Sequence, residues 1–124
     1  MTQVFAIAAG GALGSVLRFW MSTWVSGQWG RDFPYGTLAV NVLGCLLMGI
    51  LFVLLTERLS LAPVWRAGLL IGVLGGFTTF SAFSMETVSL IESGASLRAL
   101  LNVMVSVVAC VGATWVGVIA ARQI

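Results

Sequence analysis

The sequence predicts an all-α integral membrane protein: a single four-helix transmembrane domain over residues 1–124, with a break in the third helix, paired with an inverted copy as an antiparallel, dual-topology homodimer. Three observations predict this. Hydrophobic residues make up 60% of the chain and charged residues 8%, with a mean hydropathy of +1.09, which sets it apart from soluble domains. The apolar residues fall into four runs, each long enough to cross a hydrocarbon core about 30 Å thick. The six basic residues, all arginine, divide equally between the two sides that these runs define.

The same composition sets several function classes aside. Net charge is only +2 and the arginines stand singly, so no basic tract suggests nucleic acid. Cys45 and Cys110 each lie inside an apolar run, which favours free thiols over a bridge. The connectors are too short to hold a folded soluble domain.

The first span covers roughly residues 4–25, interrupted in polarity only by Arg18, and is too long for the core of a signal peptide. It gives way to the polar stretch Ser26-Gly-Gln-Trp-Gly-Arg-Asp, which Pro34 closes. The second span covers about 36–56 and leads into Glu57-Arg-Leu-Ser-Leu-Ala-Pro63. The third covers about 64–91, and its centre, Leu74-Gly-Gly-Phe-Thr-Thr-Phe-Ser81, is poor in helix formers, so a break is expected at Gly75, Gly76, Thr78 and Thr79. The fourth covers about 97–121. Trp20, Trp24, Trp29 and Tyr35 gather toward one membrane face, where amphipathic rings are favoured. Gly10 with Gly14, Gly68 with Gly72, Gly72 with Gly76, and Ala113 with Gly117 put small residues one turn apart, which lets helix backbones approach closely in lipid.

Four spans put both termini and the middle connector, with Arg58, Arg66 and Arg122, on one side, and Arg18, Arg31 and Arg98 on the other. The positive-inside rule then selects no orientation, and insertion both ways allows a two-fold axis in the membrane plane.

A break at mid-membrane frees backbone groups that cost several kcal/mol each unless something satisfies them. Two readings follow: carbonyl oxygens that converge on a hard cation, or a kink shaped for packing. Phe80 and Phe83 share a helix face at i, i+3 spacing, as do Ser81 and Ser84. Ring edges carry partial positive charge and hydroxyls donate hydrogen bonds, so this face suits an anion, and it equally suits plain packing. Asn41 offers an amide donor to an anion or to a neighbouring helix. Asn102, Ser106, Cys110 and Thr114 recur every four residues as one polar stripe, either an anion track or helix-packing glue. Arg18, about 10 Å inside the first span, reads as a vestibule charge or as a side chain that snorkels to headgroups. Glu86, the only acid well inside a span, reads as a proton site or as the partner of an arginine, the latter preferred.

With these residues in view, the chain resembles the Fluc (CrcB) family of bacterial fluoride channels across all four spans. The resemblance is carried by Gly10-Gly-Ala-Leu-Gly-Ser-Val-Leu-Arg18, Gly36-Thr-Leu-Ala-Val-Asn-Val-Leu-Gly44 and Gly75-Gly-Phe-Thr-Thr-Phe-Ser-Ala-Phe-Ser84. It implies a passive fluoride-selective channel, not an enzyme, in the bacterial cytoplasmic (inner) membrane. Fluoride that accumulates in the cytoplasm through entry of HF would leave by two antiparallel pores of a homodimer. Phe80 and Phe83 correspond to the family's pore phenylalanines and Asn41 to its pore asparagine, with Ser81, Ser84, Ser106 and Thr114 as the candidate donors beside them and Arg18 at the vestibule. The resemblance also implies a structural sodium ion at the dimer centre, held by main-chain oxygens of Gly75 and Thr78 from both subunits. Ala82 and Cys110 depart from the family pattern, where hydroxyl residues are expected. A dual-topology multidrug exporter is the rival reading, and it needs a deep carboxylate that the first span lacks.

Overall fold

The computed structural model describes residues 1–124. It contains four helical spans long and apolar enough to cross a membrane: Thr2–Trp29, Tyr35–Arg58, Pro63–Glu92 and Ser96–Gln123. We label α1 as Thr2–Trp29, α2 as Tyr35–Arg58 and α5 as Ser96–Gln123; the third span is two helices, α3 over residues 63–77 and α4 over Phe80–Glu92. Only 19 of the 124 residues are buried within the chain, so most of its large apolar side chains face outward, as befits a protein whose solvent is lipid. This is a multi-pass, all-helical membrane protein.

Short connectors make consecutive helices run up and down. At one end Arg98 Nη1 donates to the Asp32 carbonyl at 3.4 Å. At the other, Arg122 pairs with Glu57 at 2.9 Å, and Arg58 donates to the Arg122 carbonyl at 2.6 Å. The helices outrun the predicted spans because their true stops lie further out. Gly30, at φ 89, ends α1, whereas Gly27 is accommodated inside it. Gly94, at φ 83, ends α4 with the paired bonds Ala95 N to Leu90 O and Gly94 N to Ile91 O that mark a Schellman stop.

Glycines bring α1 against α3. A Cβ at Gly10 would overlap the Gly68 carbonyl oxygen, and one at Gly14 would overlap that of Val73. The face of α3 that meets them, Ala67–Leu74, is wound as a π-helix, a feature the sequence pattern does not announce. On the other side α5 packs chiefly along α2, with Gly49 close to the Thr114 carbonyl and Gly117 close to Gly49. Val40 and Val53 of α2 are fully buried.

The break in the third span is real but sits later than the glycines indicated. Gly75 is helical, at φ −63 and ψ −36, and α3 continues through Phe77. The chain then extends at Thr78 (φ −84, ψ 156) and Thr79 (φ −149, ψ 118) before α4 begins. Gly76 serves packing instead, since a Cβ there would come within 2.7 Å of the Gly11 carbonyl oxygen. The two threonines end one helix and start the next through their side chains. Thr78 Oγ1 donates to the Leu74 carbonyl at 3.1 Å, and Thr79 Oγ1 caps α4 by accepting from Ala82 N at 3.2 Å.

Candidate ion pathway around the broken helix

An extended dipeptide inside a membrane span leaves peptide groups that no helix can pair. Asn41 of α2 meets this need at two points: Thr79 N donates to Asn41 Oδ1 at 2.7 Å, and Asn41 Nδ2 donates to Thr79 O at 2.9 Å. Its amide is therefore committed to the backbone of the break, with one N–H left over. Because the Thr79 N–H turns to Asn41, the Gly75 carbonyl lacks its ordinary helical donor four residues on.

Arg18 of α1 turns toward the broken helix. Its Nη1 donates to the Thr78 carbonyl at 3.4 Å, placing a cation at the C-terminal end of α3, where the helix dipole is negative. Three helices thus converge on Thr78 and Thr79: α1 through Arg18, α2 through Asn41, and α4 through its cap.

Beyond the break, Phe80 and Phe83 lie with ring centroids 5.2 Å apart and planes 46° apart, a tilted pair. They differ sharply in surroundings. Phe83 is 8% exposed, whereas Phe80 is 77% exposed on the outer surface of the chain. Ser81 Oγ lies 3.2 Å from Thr79 Oγ1, and Ser84 Oγ donates to the Phe80 carbonyl at 2.9 Å.

The polar stripe of α5 turns inward and splits into two groups. Ser106 Oγ donates to Asn102 Oδ1 at 3.3 Å, and Asn102 Nδ2 donates to Thr87 Oγ1 of α4 at 2.9 Å. Further along, Thr114 Oγ1 lies 3.1 Å from both the Cys45 and the Cys110 carbonyls, stitching α5 to α2. Cys45 and Cys110 are free.

Glu86 has no arginine partner, contrary to the preferred reading; the only salt bridge is Arg122 with Glu57. Thr37 Oγ1 donates to Glu86 Oε1 at 2.6 Å, and Oε2 is buried without a protein partner. The carboxylate lines a cavity of about 580 Å³ near one end of the bundle, together with Ser22, Arg31, Thr37 and Ser89. Sequence reasoning missed Thr37 and Thr87. Thr87 is one turn from Phe83, a spacing that could have drawn attention to it, but Thr37 and Glu86 are brought together only by the fold.

No cluster of three or more His, Cys, Asp or Glu side chains exists that could hold a metal ion. The oxygens at the break are of another kind, neutral main-chain carbonyls, which suit a hard monovalent cation. Gly75 is exposed and its carbonyl lacks the usual helical donor, while the Thr78 carbonyl receives Arg18 only at 3.4 Å, well beyond the roughly 2.7–2.9 Å of a full charge-assisted bond. The donor set fits such an ion chemically.

A family model described as "CrcB-like protein, Camphor Resistance (CrcB)" matches residues 5–118. A protein of Methylococcus capsulatus named "Fluoride-specific ion channel FluC" is 53% identical over 122 residues, which are 98% of this chain and 54% of that relative. A protein of the same name from Citrifermentans bemidjiense is 47% identical over 124 residues, the full length of both. One from Coxiella burnetii is 49% identical over 123 residues, 98% of this chain and 99% of the relative. The chain thus spans about half of the first relative and essentially all of the other two.

Proposed function

This chain belongs to the CrcB-like family, whose model covers residues 5–118 of it, and from that premise we propose that it is a passive, fluoride-selective channel. It exports fluoride from the cytoplasm across the bacterial inner membrane, through two antiparallel pores of a homodimer. Full-length relatives are named fluoride-specific ion channels, an activity that is not enzymatic. The observation that carries the reading is the extended break at Thr78 and Thr79, midway along Pro63–Glu92, flanked by the outward-facing Phe80.

A second copy is supported by what one chain leaves uncovered. Gly75 and Phe80 are exposed at the depth where lipid tails satisfy no polar group. An inverted partner would cover both, and the even division of arginines permits inverted insertion. Phe80 of one copy then joins Phe83 of the other to line a pore with ring edges, which attract an anion without a charge that would trap it. Hydroxyls of Ser81, Ser84, Ser106 and Thr114 rotate between their internal acceptors and a passing anion, replacing part of its hydration shell. Asn41 holds the break in shape and offers its remaining N–H to the same path. Arg18 stabilises the end of α3 and adds positive potential near mid-membrane.

The Gly75 and Thr78 carbonyls of both copies would hold the structural sodium ion. When bound, that ion neutralises the converging carbonyl dipoles and ties the two breaks together.

The test is fluoride efflux from liposomes that contain only the purified protein, with chloride-loaded vesicles in parallel. Fluoride leaves and chloride stays if the proposal is right; vesicles that retain fluoride would refute it.

A further inference from the structure

Helix α4 carries both phenylalanines, yet it has only a modest contact with α5 beside it. The only side-chain hydrogen bond between these two helices runs from Asn102 Nδ2 to Thr87 Oγ1, at 2.9 Å. Asn102 is 2% exposed, among the most deeply buried side chains of the protein. A buried amide of this kind is costly unless paired, so its partners fix its orientation.

The bonds around it share one direction. Ser106 Oγ gives its proton to Asn102 Oδ1, Asn102 Nδ2 donates to Thr87 Oγ1, and Thr87 Oγ1 gives its own proton to the Phe83 carbonyl at 2.8 Å. A threonine hydroxyl has a single proton, and with that proton given to the Phe83 carbonyl the Thr87 oxygen can bond a second group only as an acceptor, which requires a donor. Asn102 is that donor. Thr87 lies one turn from Phe83, so anchoring its hydroxyl fixes the rotation of α4 about its axis. That rotation decides which way the Phe83 ring, carried on the same helix and 8% exposed, points out of the α4 axis.

We propose that Asn102, acting through Thr87, is a positioning residue that sets the rotation of α4 and thereby holds the Phe83 ring in the pore. The consequence for flux rests on the channel reading; the consequence for the ring does not. Thr87→Val keeps the shape of the side chain and removes the hydroxyl, Asn102→Leu removes the amide, and Thr87→Ser keeps the relay intact.

The test places 4-fluorophenylalanine at position 83 and records the ¹⁹F spectrum of the purified protein in fluoride-free detergent solution, beside flux per reconstituted protein. Thr87→Val and Asn102→Leu are expected to shift the position-83 resonance alike, and the double variant to shift it no further, as members of one chain do. Thr87→Ser is expected to leave it in place. Fluoride flux should fall about tenfold in each of the first two, the size of effect one hydrogen bond carries. A resonance that stays put in Thr87→Val and Asn102→Leu overturns the inference, whatever the flux does. A resonance that moves as expected in a protein that passes no fluoride sustains the positioning role and sinks the channel reading instead.

Discussion

Replacing Asn41 by alanine removes both hydrogen bonds to the Thr79 peptide group, at 2.7 and 2.9 Å. Two backbone groups, one donor and one acceptor, are then unpaired beside an apolar interior. At roughly 1–3 kcal/mol for each buried group left without a partner, the ordered break loses about 2–6 kcal/mol. Even the lower figure reduces the population of the ordered break roughly 30-fold against disordered alternatives. Asn41→Ala should therefore abolish most of the fluoride flux, although Phe80 and Phe83 are untouched. Hydrogen exchange gives the local readout, since the Thr79 amide is protected while it donates to Asn41 and should exchange far faster in the variant. Wild-type flux together with unchanged protection of Thr79 would refute the idea that Asn41 holds the break.

Other expectations follow from the same geometry. Phe80→Ile and Phe83→Ile should lower fluoride flux in liposomes while the protein still elutes at its wild-type position in size exclusion; unchanged flux in both would return the rings to packing. Gly14→Val pushes a side chain into the Val73 carbonyl and must part α1 from α3, which at about 1–3 kcal/mol or more for overpacking should lower the thermal midpoint in detergent. A midpoint equal to wild type would mean that the close approach is dispensable. Arg18→Gln removes the cation at the end of α3, so Thr78 should become more mobile and flux should fall, as read by exchange and efflux together.

Much of the architecture was legible because lipid imposes simple rules: length, apolarity and glycine spacing pointed to four spans and to close backbone approach at Gly10 and Gly14, while α3 as their partner emerged only from the fold. The break was legible at Thr78 and Thr79, whereas Gly75 and Gly76, expected to share in it, are helical. Two adjacent glycines look like helix breakers, yet Gly76 serves close approach to Gly11, and it is Thr78 and Thr79 that extend the chain. What pairs with what was largely illegible. Asn41 bonds a residue far away in sequence, Glu86 takes Thr37 in place of an arginine, and Arg18 turns to a carbonyl. Periodicity marks a face, but hydrogen bonds across faces depend on how helices cross. The α5 stripe shows this well: even four-residue spacing was visible, while its division between Thr87 on one side and the Cys45 carbonyl on the other was not.

The central claim is that the breaks of two inverted copies face each other at mid-membrane. Gly75 offers the most direct measurement, because it is exposed and a Cβ there meets only the Leu70 carbonyl oxygen, at an ordinary 3.8 Å. In a background where Cys45 and Cys110 are serine, Gly75→Cys should crosslink into covalent dimers in native membranes with a short bifunctional thiol reagent, while a cysteine replacing outward-facing Leu13 should not. Monomers at Gly75 under conditions where its thiol is fully modified would contradict the account.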